Sequence, residues 1–189
     1  MQKNENPLVL SAVLLVISVI VALLLAFTNS VTENKIAQNT IKEQEEARQQ
    51  VLASAVEFND LQHAQGIVKS VYQGVDKNGT ACGWCVSVTP SGYGGEIDLM
   101  VGVSLDFKVS GVKVVSNSET AGLGAKCTDS AFSGQFAGKE APVAVIKNGE
   151  PWENEIVAIT GATITSAAVT EGVNAAIDAV KKIGGGQNE

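Results

Sequence analysis

The stretch Ile159–Val169, ITGATITSAAV, marks the point at which the pattern of the sequence changes from strand to helix. Upstream of it, short segments rich in Val and Ile are separated by Gly, Asn and Asp, a pattern typical of strands joined by turns. Downstream, apolar residues recur at helical spacing over residues 166–183, and Gly184–Gly186 then form a stop signal. The sequence therefore predicts an α+β domain, mainly an antiparallel sheet with flanking helices.

Six segments ahead of this helix predict strands. They are GIVKSVYQGV (66–75), CGWCVSVT (82–89), EIDLMVGVSLD (96–106), KVSGVKVVSN (108–117), APVAVIKNGE (141–150) and NEIVAI (154–159). Between the last two, Asn148-Gly149 predicts a hairpin turn, because Asn and Gly tolerate the positive φ angles that such a turn requires. The last two strands are therefore expected to pair antiparallel.

Four hydroxyl residues surround the start of the predicted helix: Thr160, Thr163, Thr165 and Ser166. A single hydroxyl would be enough to cap the helix by accepting a hydrogen bond from its free backbone N–H groups. The positive end of a helix dipole, together with those free N–H groups, also favours an anion such as phosphate. The cluster is thus either a set of caps or a phosphate site.

A glycine-rich loop, SNSETAGLGAKC, occupies residues 116–127 and contains Glu119, Thr120, Gly122 and Gly124. Glycine lets the backbone approach a ligand closely, although the same residue types also build ordinary turns. The loop lacks the Gly-Lys-Ser/Thr ending of a nucleotide P-loop. By itself it does not choose between a turn and a ligand site.

The N-terminal run PLVLSAVLLVISVIVALLLAF, residues 7–27, carries no charge and would span about 30 Å as a helix, enough to cross a bilayer core. A buried helix and a cleaved signal peptide are the alternatives, but no clear small-x-small cleavage site follows the run. We predict a single-pass anchor over residues 1–28. Residues 29–60 contain no Gly or Pro and few apolar residues, which predicts a solvated helical stalk ahead of a domain at 61–189.

Charge and cysteine content exclude some classes of partner. The net charge is −7 and no block of Lys or Arg exists, so binding to nucleic acid or to an anionic membrane surface is not expected. Cys82, Cys85 and Cys127, with His63 as the only histidine, are a thin set of ligands for a metal. Structural thiols, a disulfide, and an intersubunit or metal role remain the alternatives for the cysteines.

Three motifs in order, GYGGEIDLMVGVSLD (92–106), SETAGLGAKC (118–127) and ITGATITS (159–166), resemble the covalent FMN-binding domain. This domain is found in the G subunit of the Rnf complex and in the C subunit of the sodium-translocating NADH:quinone reductase. The resemblance implies that Thr163 carries FMN through a phosphoester bond to its hydroxyl. It also implies cofactor-binding roles for a further set of residues: Glu119, Thr120, Gly122, Leu123, Gly124, Lys147, Thr160, Gly161, Ala162 and Thr165.

The same resemblance implies an electron-transfer subunit of a membrane complex that links ferredoxin oxidation and NAD reduction to ion export. Its expected partners are multi-span membrane subunits and a flavin transferase, its FMN domain is expected outside the cytoplasm, and no catalytic residue or metal of its own is expected. The chain length favours the Rnf subunit. The alternatives are the C subunit of the quinone reductase and a free-standing anchored redox or sensory flavoprotein. Val157 departs from the family, which often has an acidic residue there, and this bears on the efficiency of flavin transfer.

Overall fold

A computed structural model describes residues 7–185 of the chain. The chain divides into two compact units, with the boundary between Lys42 and Glu43. Residues 1–6 of the predicted anchor, and Gly186 of the predicted stop signal, lie outside the described residues.

Helix α1 runs from Pro7 to Val51, and its residues up to Lys42 form the described part of the first unit. The most apolar 18-residue window of its segment Pro7–Glu33 has a mean hydropathy of 3.3, and the large apolar side chains of the segment are exposed. The Ser11 hydroxyl donates to the Pro7 carbonyl oxygen at 2.9 Å, so this polar group is satisfied within the helix. By length and composition the segment can cross a membrane.

The predicted stalk, residues 29–60, differs from the structure at its C-terminal end. Helix α1 ends at Val51, and residues Glu57–Asp60 form an edge strand instead of continuing the helix. Ala47, Val51 and Leu52 are 2–3% exposed and pack on the sheet, whereas a solvated face was expected. The apolar residues of this segment are too few to predict the contact, because the surface that buries them belongs to the sheet.

Five strands form one antiparallel sheet in the order of the chain. They are β1 (Glu57–Asp60), β2 (Val68–Val75), β3 (Ala81–Val88), β4 (Ile97–Ser104) and β5 (Val109–Asn117). Four of the strands match predicted segments, and the antiparallel sheet with flanking helices is confirmed. Strand β1 was not predicted, because its sequence, EFND, has neither the β-branched content nor the length of a typical strand.

The two faces of the sheet are covered by different helices. Residues such as Val86 and Val101 pack against helix α3 (Thr163–Gly185) on one face. Cys85 and Met100, which alternate with them along the strands, pack against the end of α1 on the other face. Both faces are therefore buried, which explains why the central strands are nearly continuous apolar runs. The short helix α2 (Ser130–Ser133) follows the glycine-rich loop.

Glycines make room for the end of α1 on the sheet. Gly102 on β4 lies opposite Gly111 on β5, and a Cβ at Gly102 would collide with the Val51 carbonyl oxygen. The Ser110 hydroxyl donates to that same oxygen at 2.6 Å. The backbone of the helix end therefore lies directly on the sheet, at a distance that only glycine permits.

The last two strands, β6 (Ala144–Ile146) and β7 (Glu155–Val157), pair parallel. The predicted Asn148-Gly149 hairpin is therefore wrong, because two-residue hairpin turns join antiparallel strands only. Instead, the segment that joins β6 to β7, residues 147–154, runs back to the start of β6. There the Ala144 N–H donates to the Asn154 carbonyl oxygen at 2.8 Å.

Two side-chain amides hold this small sheet against the rest of the domain. The Val157 N–H donates to Gln135 Oε1 at 2.8 Å, and Gln135 Nε2 donates to the Val157 carbonyl oxygen at 3.2 Å. Asn174 on α3 makes the same paired contact with the Val143 backbone, at 2.8 and 2.9 Å. Each amide acts as a strand partner, Gln135 for the last residue of β7 and Asn174 for the residue just before β6.

Candidate functional site

A cleft of about 490 Å³ lies at the start of helix α3. Three segments line it: the β3–β4 connection through Tyr93, the glycine-rich loop after β5, and the turn into α3. The lining residues are Tyr93, Glu119, Thr120, Leu123, Gly124, Gly161, Ala162, Thr163, Ile164 and Thr165. Its size suits a cofactor or small ligand. The cleft thus brings together two of the three motifs singled out in the sequence and one residue of the third.

The turn into α3 presents Thr163 to solvent. Gly161 has φ of +79°, a conformation that L side chains rarely adopt, and the Ala162 N–H donates to the Ile159 carbonyl oxygen at 2.9 Å. Thr163 is the first residue of the helix, three residues earlier than the predicted start at Ser166. Its side chain is exposed, as is that of Thr160.

The other two hydroxyls of the cluster are buried and already bonded within the protein. Ser166 accepts a hydrogen bond from the Ile159 N–H at 2.9 Å and donates to the Ala162 carbonyl oxygen at 3.0 Å. Thr165, which is 1% exposed, donates to Glu119 Oε2 at 2.7 Å. Two of the four hydroxyls therefore fix the turn, and two are free to meet a ligand.

The first turn of α3 leaves backbone donors at the cleft. The Ser166 N–H donates to the Ala162 carbonyl oxygen at 3.0 Å. This makes Ala162 the residue at which the helix hydrogen bonding begins, so the N–H groups of Thr163, Ile164 and Thr165 have no intrahelical acceptor. Such donors at the positive end of a 23-residue helix favour an anion.

The glycine-rich loop forms the opposite wall. Leu123 is 45% exposed at the cleft, and a Cβ at Gly161 would lie 3.2 Å from its Cδ2 atom, so the two walls approach each other closely. Gly122 has φ of +79° and shapes the loop without lining the cleft. Thr120 is exposed at the rim.

Two residues differ from the sequence-based set of site residues. Lys147 is exposed just after β6, not on a strand, and does not line the cleft. The carbonyl oxygen of the preceding Ile146 accepts the Ala158 N–H at 2.8 Å, so Lys147 leaves the small sheet at the end nearer the turn into α3. Tyr93, which is 73% exposed, lines the cleft but was missed, although its motif GYGG was noted.

All three cysteines are free thiols in the structure, and none of them lines the cleft. Burial raises the pKa of Cys85 to about 12, against a partly opposing effect of Arg48. Burial also raises the pKa of Cys127 to about 11, and the nearby Glu119 carboxylate adds to the effect. Both side chains therefore stay protonated at neutral pH and behave as core residues, which favours the structural role among the three alternatives.

Family models match two parts of the chain. The FMN-binding domain matches residues 92–178, which contain the cleft, and the RnfG N-terminal region matches residues 5–51. Together the two matches cover the apolar helix and residues 92–178 of the domain that the sequence pattern predicts.

Solved structures support the fold. The C subunit of the Na(+)-translocating NADH-quinone reductase from Parabacteroides distasonis is 20% identical, with a TM-score of 0.59 over 78% of this chain and 94% of that one. NqrC from Shewanella oneidensis has a TM-score of 0.50 at 22% identity and covers 66% of each chain.

Full-length relatives are closer in sequence. The G subunit of the Na(+)-translocating ferredoxin:NAD(+) oxidoreductase complex of Acetobacterium woodii is 37% identical over 92% of this chain and 91% of its own length. The G subunit of an ion-translocating oxidoreductase complex from Methanosarcina acetivorans is 36% identical over 88% and 90%. The counterpart in the proton-translocating complex of Clostridium ljungdahlii is 33% identical over 87% and 86%. The chain belongs to the family of G subunits of ion-translocating oxidoreductase complexes.

Proposed function

We propose that this chain is the FMN-carrying electron-transfer subunit of a membrane-bound, ion-translocating ferredoxin:NAD(+) oxidoreductase complex. The observation that carries the proposal is the similarity to G subunits along almost the whole chain, with the FMN-binding domain match falling on the cleft. FMN, when bound, supplies the redox chemistry, while the protein supplies attachment, orientation and environment. The chain is thus a redox subunit of an enzyme and needs no acid, base or nucleophile of its own for electron transfer.

The residues of the cleft fit FMN at both of its ends. For the phosphate, the free N–H groups at the start of α3 provide donors and the helix dipole provides a favourable field. For the ring, Leu123 and Tyr93 offer exposed apolar surface in the same cleft. The cleft therefore combines an anion-favouring helix start with exposed apolar side chains.

We infer that Thr163 holds the phosphate covalently. Thr163 Oγ1 would displace a nucleoside phosphate from a donor in which the FMN phosphate is held as a phosphoanhydride. The O–P bond to threonine would form, the phosphoanhydride bond would break, and the hydroxyl proton would leave with the displaced phosphate, so that the chain gains the mass of FMN minus one water. The hydroxyl is exposed at the first helical residue, next to the small residues Gly161 and Ala162, and is therefore open to a flavin transferase. Thr160 is exposed on the same turn and can donate to a remaining phosphate oxygen.

The roles of four predicted contacts change in this proposal. Thr165 and Glu119 bond to each other, so neither hydroxyl nor carboxylate is free to bind the phosphate directly. A contact between Lys147 and the polar edge of the flavin ring stays a prediction, because the side chain would have to reach the ring from the end of β6. Gly122 and Gly124 act on the shape of the loop.

Ion transport requires partners. The described residues 7–185 contain one helix that is long and apolar enough to cross a membrane, and a single span offers no closed path for an ion. The match to the RnfG N-terminal region over residues 5–51 supports the ferredoxin:NAD(+) complex over the quinone reductase. We therefore propose that multi-span subunits assemble with this chain.

Affinity purification tests this assembly. The tagged chain, purified from mildly solubilised membranes of its own cells, is expected to bring several multi-span proteins with it, while an equally tagged unrelated single-span protein does not. Recovery of the FMN-loaded chain alone, under conditions that preserve other membrane complexes, would favour a free-standing anchored flavoprotein.

We further propose that the FMN domain lies outside the cytoplasm, as the resemblance to the covalent FMN-binding domain implies. Protease added to right-side-out vesicles is then expected to digest the domain and to leave the apolar segment of α1. Inverted vesicles serve as the control, in which the domain is protected. The opposite pattern of digestion would reverse the orientation.

A further inference from the structure

Each oxygen of the Glu119 carboxylate accepts a hydrogen bond from a protein group. Its Oε1 atom accepts the Gly94 N–H at 2.9 Å, and its Oε2 atom accepts the Thr165 hydroxyl at 2.7 Å. These donors come from the β3–β4 connection and from the first turn of α3, which lie 25 and 46 residues away in sequence. A charged acceptor makes stronger hydrogen bonds than a neutral one.

Two glycines flank this carboxylate at positions where an added Cβ would displace it. A Cβ at Gly92 would collide with Glu119 Oε1, and a Cβ at Gly124 would collide with Oε2 and lie 2.7 Å from Thr165 Oγ1. Neither glycine has a positive φ, so their backbone conformations do not require glycine. The space that they leave is occupied by the carboxylate itself.

The segments joined in this way are the walls of the cleft. Tyr93 lies between Gly92 and Gly94, Leu123 precedes Gly124, and Thr165 follows two residues after Thr163. Within residues 7–185, the Gly94–Glu119 hydrogen bond is the one that joins the β3–β4 connection to the glycine-rich loop. One carboxylate therefore holds both apolar walls at fixed positions relative to the exposed hydroxyl.

We propose that Glu119 is a positioning residue that acts on the flavin through Tyr93, Leu123 and the start of α3, and not by contact with the flavin. The effect on the flavin rests on the proposed function, whereas the hydrogen bonds of Glu119 can be tested in the chain without flavin. It assigns to Glu119 a role different from the direct cofactor contact that the sequence predicts.

The structural part is tested in the full-length chain without flavin by hydrogen exchange. Glu119→Ala is expected to speed exchange of the Gly94 amide about tenfold or more, because its acceptor is lost. Glu119→Gln is expected to restore protection to within about threefold, since an amide oxygen still accepts the N–H and the Thr165 hydroxyl can accept from the amide nitrogen. The Gly79 amide, bonded to the Asp76 carbonyl oxygen in a distant turn, is the internal reference.

Glu96→Ala is the matched control, because Glu96 is an exposed carboxylate on the same connection. In this variant the Gly94 amide is expected to exchange at the wild-type rate. Unchanged exchange in Glu119→Ala, or an equal effect of Glu96→Ala, would overturn the positioning role, whether or not the chain binds FMN.

The functional part is tested on chains loaded with FMN. Glu119→Ala and Thr165→Val are both expected to keep FMN on Thr163 but to alter the visible circular dichroism of the flavin, and Glu119→Gln to return it toward the wild-type spectrum. The effect of Thr165→Val is expected to shrink in the Glu119→Ala background, because the two groups act as a pair. A wild-type spectrum in every variant would overturn the positioning role while leaving the FMN assignment intact.

Discussion

Replacing Thr163 by alanine is expected to abolish covalent flavin completely. The hydroxyl oxygen is the atom that would join the protein to the phosphate, and alanine offers no substitute. Thr163 is exposed at the first residue of α3, so the change removes no buried contact and helix propensity favours alanine. The measurement is in-gel flavin fluorescence of denatured protein made with a competent flavin transferase.

The neighbouring hydroxyls provide the controls. Thr160→Ala removes the other exposed hydroxyl of the turn and is expected to keep the fluorescent band, as is Thr165→Ala with a lower occupancy. Thr163→Ser, which retains a hydroxyl at the same place, is expected to recover at least part of the fluorescence. Fluorescence that persists in Thr163→Ala and disappears in Thr160→Ala would move the attachment to Thr160.

The second large effect is expected at Gly102, where the end of α1 lies on the sheet. A Cβ there would meet the Val51 carbonyl oxygen and Ser110 Oγ, and the backbone of α1 cannot move away without losing its contacts. Gly102 has no positive φ, so the cost of Gly102→Val arises from the collision and not from backbone strain. We expect a loss of about 3 kcal/mol in the free energy of unfolding.

Urea unfolding of the full-length protein in detergent micelles, followed by tryptophan fluorescence, measures this loss. Gly134→Ala is the matched control, because a Cβ there meets nothing within 4 Å and the residue has helical φ of −66°. It is expected to be neutral or slightly stabilising. Equal midpoints for the two variants would mean that α1 does not rest on Gly102.

The sheet was predictable because its strands carry their own signal. Strands β2 to β5 are rich in Val and are separated by turn residues, so local pattern and final structure agree. Strand β1 and the buried end of α1 were not predictable in this way. The end of α1 depends on glycines of the strands that it lies against, and β1 depends on its pairing with β2; no periodicity in residues 43–60 indicates either contact.

The pairing of β6 with β7 shows a local signal overruled by tertiary contacts. Asn148-Gly149 favours a hairpin, but the two strands run parallel, and Gln135 and Asn174 bond the backbone of Val157 and Val143 in that arrangement. Neither amide is near the turn in sequence. A rule based on the turn residues alone cannot include them.

At the candidate site, the four hydroxyls of the motif divide into two that are exposed and two that are buried. Thr163 and Thr160 are exposed as the motif implies, whereas Thr165 and Ser166 have buried structural partners. Residue type alone cannot separate the exposed hydroxyls from the buried ones, since all four residues are Ser or Thr. The sequence does carry a signal for Tyr93, since it is the single large side chain within the glycines of GYGG, residues 92–95.

The most direct test of the account is mass spectrometry of the wild-type chain made with a competent flavin transferase. The intact mass is expected to increase by FMN minus one water, and fragmentation of the peptide that contains ITGATITS is expected to place the addition on Thr163. An unmodified intact mass would contradict the covalent flavoprotein assignment, and an addition on any other residue would contradict the role of Thr163.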